Sequence, residues 1–352
     1  MEADAVTEAA AVEAGIRLTE LANGLRVSQA LFVAAELQIA DLLSRQALTG
    51  AELAACTKTD VAALGRIMRA LCSLGIFSQE ASGHFALTPV GVLLRSDLPQ
   101  SFRAGAQFMT GPVRWRCWSD LLETIRTGKN RPESLYGMQL FNFYAAHPAE
   151  SKVHDDAMRS FSATHTTALL NAIELKDARC IIDVGGGTGE LLAAVLKKHS
   201  FLRGVLFDLP NVVEHAPSVL TAAGVLDRCT VEGGSFFEKV PARGDVYLLK
   251  QVIHDWNDQC ASAILRCCYS HVSKDARLLV IERRMPERPD PGVATEAFLA
   301  DLEMLVMTPG GRERTEAEFK GLFAKVGLEH LETLQTESPL SIFETRPRRS
   351  EH

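Results

Sequence analysis

The sequence predicts an α/β protein in which a doubly wound, mainly parallel sheet follows a smaller, mainly α domain. Three observations carry that expectation. The apolar run Ile181-Ile182-Asp183-Val184 leads into the glycine loop Gly185-Gly186-Gly187-Thr188-Gly189, and a helical run from Glu190 to Lys198 comes next. From Cys180 onward strand-like and helix-like patterns alternate, the mark of βαβ units on a parallel sheet. Before residue 99 the spacing is helical and ends in one hairpin signal.

Composition bounds the answer. A chain of 352 residues has room for about two domains at ~150 residues each. The hydrophobic fraction of 47% is ample for a packed core. Net charge is −7, from 44 acidic and 37 basic residues, which disfavours nucleic acid or an anionic membrane as partner. The eight cysteines show no metal-ligand spacing: Cys260, Cys267 and Cys268 make no C-x-x-C, and the others are scattered. Reduced thiols in a cytoplasmic protein fit this pattern. Met1 to Arg17 carries four acids and no basic segment before them, so it does not read as a signal peptide. No apolar run approaches the ~18 residues of a membrane span.

Residues 1–18, rich in Ala and Glu, read as a lead-in helix, and residues 19–98 as a winged-helix-like domain. Leu21, Leu25, Ser28, Leu31 and Ala35 recur at helical spacing, with Ile39, Leu42 and Leu43 beyond them. Thr49 with Glu52 is a capping box that opens a short helix. Asp60 caps a third helix, with Leu64, Ile67, Leu71 and Leu74 on one face and Gly75 as its stop. Ile76-Phe77, a turn at Ser82-Gly83 and His84 to Leu87 read as a hairpin. Such a domain either binds DNA or packs against another chain. Residues 1–98 hold seven Lys/Arg against eleven Asp/Glu, a poor match to phosphates. The apolar run from Ser28 to Leu43 therefore reads as a subunit interface.

Residues 99–165 read as a helical connector with two aromatic clusters, and residues 166–352 as the sheet domain. Strands are expected at 180–184, 204–208, 229–232, 245–249 and 277–281. Helices are expected at 189–199, 211–224, 258–272, 295–307 and 316–326. The runs 328–335 and 340–345 form a closing hairpin that brings one antiparallel strand to the sheet.

Polar residues then collect where strands end, the ligand edge of such a sheet. Gly185, Gly187 and Gly189 would let a nucleotide-like ligand approach the backbone at a helix N-terminus. A dinucleotide fingerprint wants its next glycine at position 190, which is Glu190. Asp208, at the next strand end, suits two ribose hydroxyls, or else caps the helix after Pro210. Ser235 and Phe236 stand where an adenine ring could be flanked. His254 follows the fourth strand, Glu282 ends the fifth, and Glu313 lies in a glycine turn before the box Thr315/Glu318.

Five motifs in this order carry a resemblance: Asp183-Val-Gly-Gly-Gly-Thr-Gly189, Phe207-Asp208-Leu-Pro210, Gly233-Gly-Ser-Phe-Phe237, His254-Asp-Trp256 and Gly310-Gly-Arg-Glu-Arg-Thr315. Together, over nearly the whole chain, they resemble the S-adenosylmethionine-dependent small-molecule O-methyltransferases of the caffeate, hydroxyindole and bacterial polyketide and phenazine tailoring type. The resemblance implies a Rossmann-like doubly wound methyltransferase sheet with an N-terminal winged-helix dimerisation domain, hence a homodimer. It implies S-adenosylmethionine as cofactor, S-adenosylhomocysteine as product, and no metal. His254 would be the general base, with Glu282 and Glu313 flanking it. Asp183, Gly185, Gly187, Asp208, Ser235, Phe236, Lys250 and Asp255 would line the cofactor. Ser235 departs from the Asp that many members carry, which leaves Phe236 as the firmer adenine contact. Met158, Phe161, Trp256, Met304 and Thr308 would line the pocket for a hydroxylated aromatic acceptor.

The implied chemistry has a physical difficulty. A phenol near ~10 must lose its proton to a histidine near ~6.5. In water that costs about 5 kcal/mol at ~1.4 per unit, so proton loss is coupled to attack or the carboxylates raise the basicity of His254. Competing expectations are a winged-helix regulator that senses a ligand, a relative with diverged chemistry such as hydroxylation, and a metal site at His254, Asp255 and Glu282.

Overall fold

Apolar residues on both faces of Cys180–Val184 force it into the middle of a sheet with helices on either side. In the computed structural model, which describes residues 8–98, 100–242, 244–270, 272–273 and 275–348, this strand is the pivot of the larger of two compact units. The units are Met1–Trp115 and Arg116–His352, so their boundary falls inside the segment 99–165.

The first unit is helical. Its principal helices are Glu8–Ala22, Gly24–Glu36, Ile39–Leu43, Gly50–Thr57 and Val61–Ser73. A hairpin of β1 (Phe77–Gln79) and β2 (Phe85–Leu87) follows, and Leu48 bridges to Phe85. The capping box at Thr49 and Glu52 is formed, and Asp60 accepts the N–H of Ala63. Gly75 ends its helix at φ 72°, a conformation costly for any other residue. The helical run expected to continue through residue 43 breaks at Gln38, with φ 54°. Met1–Thr7, the start of the expected lead-in, lie outside the described residues.

One expectation shifts here. Ala34, Ala35, Ile39, Ala40 and Leu43, read as interface residues, are buried in this unit's own core with Leu53, Met68 and Leu71. Elsewhere in the run Leu31, Phe32, Val33 and Leu42 are only partly buried. Exposed apolar side chains also lie earlier: Val12, Ile16, Leu18, Leu21 and Leu25 are all exposed, and helix Glu8–Ala22 buries none of its residues. Periodicity identifies an apolar face without saying which neighbour covers it.

The second unit is built on one sheet. Its strands are β3 (Cys180–Val184), β4 (Arg203–Asp208), β5 (Cys229–Gly233), β6 (Val246–Lys250), β7 (Arg277–Met285), β8 (Arg314–Thr315), β9 (Leu328–Gln335) and β10 (Leu340–Pro347). The spatial order is β5-β4-β3-β6-β7-β10-β9. The pairs β3/β4, β4/β5, β3/β6 and β6/β7 are parallel. β10 runs antiparallel to both its neighbours, as the closing hairpin required. The chain steps outward from β3 to β5 and then returns to β6, which places a switch point between β3 and β6. Each face carries its own apolar cluster, one around Ile181, Leu192 and Leu248, the other around Ile182, Leu249 and Phe343.

The expected helix 211–224 is two pieces, Pro210–Val213 and Ala216–Ala222. Pro217 has no N–H to give to the carbonyl of Val213, and its ring would crowd that carbonyl. A long helix, Pro148–Ala172, precedes the sheet.

Candidate active site

The glycine loop closes on β4 before anything else binds to it. The Gly185 N–H donates to Phe207 O at 2.8 Å. Gly185 and Gly187 have φ 69° and 62°. A Cβ on Gly185 would stand 2.7 Å from Val252 Cγ2, and one on Gly186 would stand 2.7 Å from the Asp183 carboxyl carbon. Gly187 has nothing within 4 Å there, so the loop is open on that side. Asp208 does two things at once: Oδ2 accepts the Gly187 N–H at 2.8 Å, and Oδ1 accepts the Leu209 N–H at 2.7 Å. Burial pushes its carboxyl up.

Asp183 lies beneath this loop, 1% exposed. Burial pushes it up to about 7, and Lys250 acts against that. Its Oδ2 is buried and makes no hydrogen bond among the described residues. Lys250, at the end of β6, is partly buried; loss of solvent pulls its amine down while Asp183, Glu282 and Glu190 work the other way. Ser235 Oγ accepts the Phe237 N–H at 3.2 Å, so this hydroxyl braces its own turn. Phe236 stands beside Gly185, its ring edge 3.7 Å from where a Cβ would be. Its ring centroid is 5.0 Å from that of Phe237, and Phe237 meets Trp256 edge-on at 4.7 Å.

Two residues of this loop's frame were not legible in the sequence. Glu190, the residue that breaks the dinucleotide spacing, accepts the Thr188 hydroxyl at 2.8 Å and Arg159 Nε at 2.9 Å. The loop is thereby tied to helix Pro148–Ala172. Only the odd charge at position 190 signalled it.

His254 sits on a single 3-10 turn, Ile253–Asp255, just past β6. Its Nδ1 is 3.0 Å from Glu313 Oε1 and 3.6 Å from Glu282 Oε2. Nε2 makes no hydrogen bond among the described residues; Asp255 Oδ1 is 3.7 Å from it. Burial penalises the charged ring, but Glu282, Glu313 and Asp255 outweigh it, and the imidazole is pushed up to about 10. Glu282 is fully buried and pushed up to about 7 by that burial, against the pull of His254. Its Oε1 accepts three backbone N–H groups, from Val252 at 3.0 Å, Ile253 at 2.7 Å and His254 at 3.3 Å. The anion thus holds the turn as well as facing the ring. His254, Glu282 and Glu313 offer ligand atoms within 4.8 Å of one another, room for a shared proton or for a cation.

The segment 308–315 wraps this turn. Thr308 Oγ1 donates to Met304 O at 2.7 Å and accepts the Gly311 N–H at 2.9 Å. Arg312 N–H donates to His254 O at 2.8 Å. A cavity of about 190 Å³ lies alongside, lined by Leu140, Phe141, Trp256, Met307, Thr308 and their neighbours. Trp256 and Thr308 are therefore brought together at one wall. Met158, partly exposed, and Phe161 lie on helix Pro148–Ala172, and Met304 lies on helix Thr295–Met307; none of the three lines this cavity.

A parallel sheet with a nucleotide cradle at its switch point and a buried imidazole one strand further on defines a cofactor-dependent group-transfer enzyme. Residues 118–329 match the O-methyltransferase domain family, and residues 19–97 match the O-methyltransferase dimerisation domain family. The chain belongs to the S-adenosylmethionine-dependent O-methyltransferases. It is 39% identical over 339 residues to the phenazine O-methyltransferase PhzM of Lysobacter antibioticus, covering 96% of this chain and 98% of that one. It is 36% identical over 349 residues to the O-demethylpuromycin-O-methyltransferase of Streptomyces alboniger, covering 98% and 92%. The solved structure of NcsB1, an O-methyltransferase from neocarzinostatin biosynthesis in complex with S-adenosylmethionine and 2-hydroxy-5-methyl naphthoic acid, is 30% identical. It covers 92% of this chain and 96% of that one, with a TM-score of 0.79.

Proposed function

We propose that this enzyme methylates a hydroxyl of an aromatic secondary metabolite of the phenol, phenazine or polyketide type, with His254 as general base. The observation that carries the base assignment is the asymmetry of the ring. Nδ1 is held by Glu313 at 3.0 Å, while Nε2 makes no hydrogen bond among the described residues. A carboxylate on Nδ1 sets the tautomer and leaves the Nε2 lone pair for the acceptor proton.

The acids also answer the mismatch in proton affinity. They push the ring's proton affinity up toward that of a phenol, which lowers the cost of the transfer. The same acids keep a proton on the resting ring at neutral pH. The acceptor's proton and that resting proton compete for one site, and the rate climbs with pH until the ring is neutral.

The cradle fits S-adenosylmethionine. Gly185 and Gly187 present backbone at positive φ, Gly187 beside open space, Asp208 is the acid for the ribose, and Phe236 is the adenine neighbour. Lys250 and Asp255 complete the cofactor side, with Asp183 and Ser235 beneath it. The cofactor supplies a methyl activated by a positive sulfonium. Trp256 and Thr308 form one wall of the acceptor site, and Met158, Phe161 and Met304 complete it from neighbouring helices.

The enzyme works as a cytoplasmic homodimer that takes no part in nucleic-acid or membrane binding. The dimerisation-domain match, the uncovered apolar side chains on helix Glu8–Ala22 and the acidic balance of residues 1–98 support this. Among the described residues no helix is long and apolar enough to cross a membrane.

The test is transfer of labelled methyl from S-adenosylmethionine to a panel of hydroxyphenazines, hydroxybenzoates and naphthols, with His254→Ala alongside. The variant is expected to lose roughly 10²–10⁴-fold in kcat while binding S-adenosylhomocysteine normally. Full activity in that variant would remove His254 from the base role, and a panel with no methylated aromatic would overturn the acceptor class.

A further inference from the structure

The largest fully buried side chain among the described residues is a cation outside the acid–base cluster. Arg314 is 1% exposed. Its Nη1 donates to Ile253 O at 3.1 Å and its Nη2 to Trp256 O at 2.8 Å. These carbonyls bracket His254 and Asp255. Nε and Nη2 both donate to Asp258 Oδ1, at 3.1 and 2.8 Å, which fixes the guanidinium plane.

The turn itself is weakly bonded. Its own backbone bonds, Asp255 N–H to Val252 O and Trp256 N–H to Ile253 O, are both 3.3 Å, long for N–H···O. Its geometry is set from outside. On the N–H side the carboxylate of Glu282 takes three donors. On the C=O side Arg314 takes Ile253 and Trp256, and the Arg312 N–H takes His254. The backbone of Arg314 is in turn paired with Arg284 on β7, two residues beyond Glu282. Gly311 completes the approach: a Cβ there would stand 2.5 Å from His254 O and 2.7 Å from the Asp255 carbonyl carbon.

We propose that Arg314 is the positioning residue for His254: its guanidinium clamps the carbonyls on either side of the ring and so fixes the ring against Glu313 and Glu282. The proposal rests on the reading of His254 as base. A fork of fixed donors can satisfy two carbonyls and a carboxylate together; a lysine ammonium on a flexible stem cannot hold all three in that geometry. A slip of about 1 Å at a reacting group can cost roughly 10²-fold in rate.

The experiment compares Arg314→Lys, Arg314→Ala and Asp258→Asn with the full-length enzyme. Asp258 is half exposed, so its variant keeps the fold if Arg314→Ala does not. Arg314→Lys is expected to lose roughly tenfold or more in kcat, with the affinity for S-adenosylhomocysteine within about twofold. Asp258→Asn should lose less in the same direction, and millimolar guanidinium should partly restore Arg314→Ala. Histidine-labelled enzyme supplies a readout independent of turnover. The Nδ1 proton resonance of His254, identified by its loss in His254→Asn, should shift or broaden in Arg314→Lys. An unchanged resonance with kcat within twofold of wild type overturns the proposal, even if the melting temperature falls. Should His254→Asn prove fully active, the base reading fails by itself, and the resonance still decides whether Arg314 sets the ring.

Discussion

Glu282 accepts the backbone N–H of Ile253 at 2.7 Å through Oε1 while its Oε2 stands 3.6 Å from Nδ1 of His254. One carboxylate thus holds the turn and stabilises the charge of the ring that the turn carries. Both jobs need it buried, and burial is what pushes it up to about 7.

Glu282→Gln separates the two jobs. The amide oxygen still accepts the three N–H groups, but the negative charge facing the ring is gone. The proton affinity of His254 falls, so the ring becomes neutral at lower pH. The rising limb of kcat/KM against pH should move downward, and the plateau should fall by up to roughly 10²-fold as the base weakens. A limb that stays in place would show that His254 does not sense this acid.

The ligand-free enzyme should lose stability as pH rises from about 5 to 8. Asp183 and Glu282 are raised to about 7 and His254 to about 10, against unfolded values near ~3.9, ~4.3 and ~6.5. Over this window these three groups hold more protons in the native state than in the unfolded chain, so their stabilisation, full below the unfolded values, fades as pH climbs through the folded ones. Burial lowers His165, His199 and His330, which work the other way near their usual value and reduce the slope. Lys250, pulled below its usual value, opposes this only where it titrates. For a chain of this size each 1 kcal/mol lost lowers Tm by roughly 2–4 °C. Scanning calorimetry across the window checks it; a Tm that rises from pH 5 to 8 contradicts the assignment.

Asp208→Asn should weaken S-adenosylhomocysteine binding by roughly tenfold or more, since bonds to a charged group are worth about 1.5–3 kcal/mol. The carboxylate accepts the Gly187 N–H with one oxygen and the Leu209 N–H with the other. Asparagine has one acceptor oxygen and turns its NH₂ against the second donor. Calorimetric titration reads the loss, and unchanged affinity would reduce Asp208 to a cap.

Methyl transfer should survive exhaustive chelation. His254, Glu282 and Glu313 are close enough to ligate a cation, but the base reading pairs Nδ1 with Glu313 and takes the acceptor proton at Nε2 with no metal. Activity lost to a chelator and restored by one divalent ion would replace the base mechanism with a metal-assisted one.

Much of the site was legible because it lies at strand ends. A buried parallel strand is an apolar run with a polar stop, and Val184, Asp208, Gly233 and Lys250 fall at or beside such stops. Glu282, expected to end its strand, lies inside β7, which pairing with β10 and then β8 carries on to Met285. The roles of Glu190, Arg159, Gly311 and Arg314 were not legible. Each acts on the backbone or charge of a residue far along the chain, as Arg314 does on Ile253 and Trp256, and no local period reports that. The break at Pro217 was visible in principle, because a proline inside a helical pattern removes a donor.

By itself, the order of residues determined the sheet, the glycine cradle at Gly185 and Gly187, and the family to which five spaced motifs belong. Those features depend on local apolar pattern and on glycine's freedom at positive φ, both of which are written residue by residue. Only the tertiary structure decided that the apolar residues from Ala34 to Leu43 close a core, leaving Val12 to Leu25 uncovered. It also decided that Asp183 is buried beneath the loop, and that Glu282 and Glu313 face the ring of His254. Packing brings Glu282 and Glu313 from separate elements to within 3.6 Å of one buried ring, and proton affinity follows from that distance and from the exclusion of water.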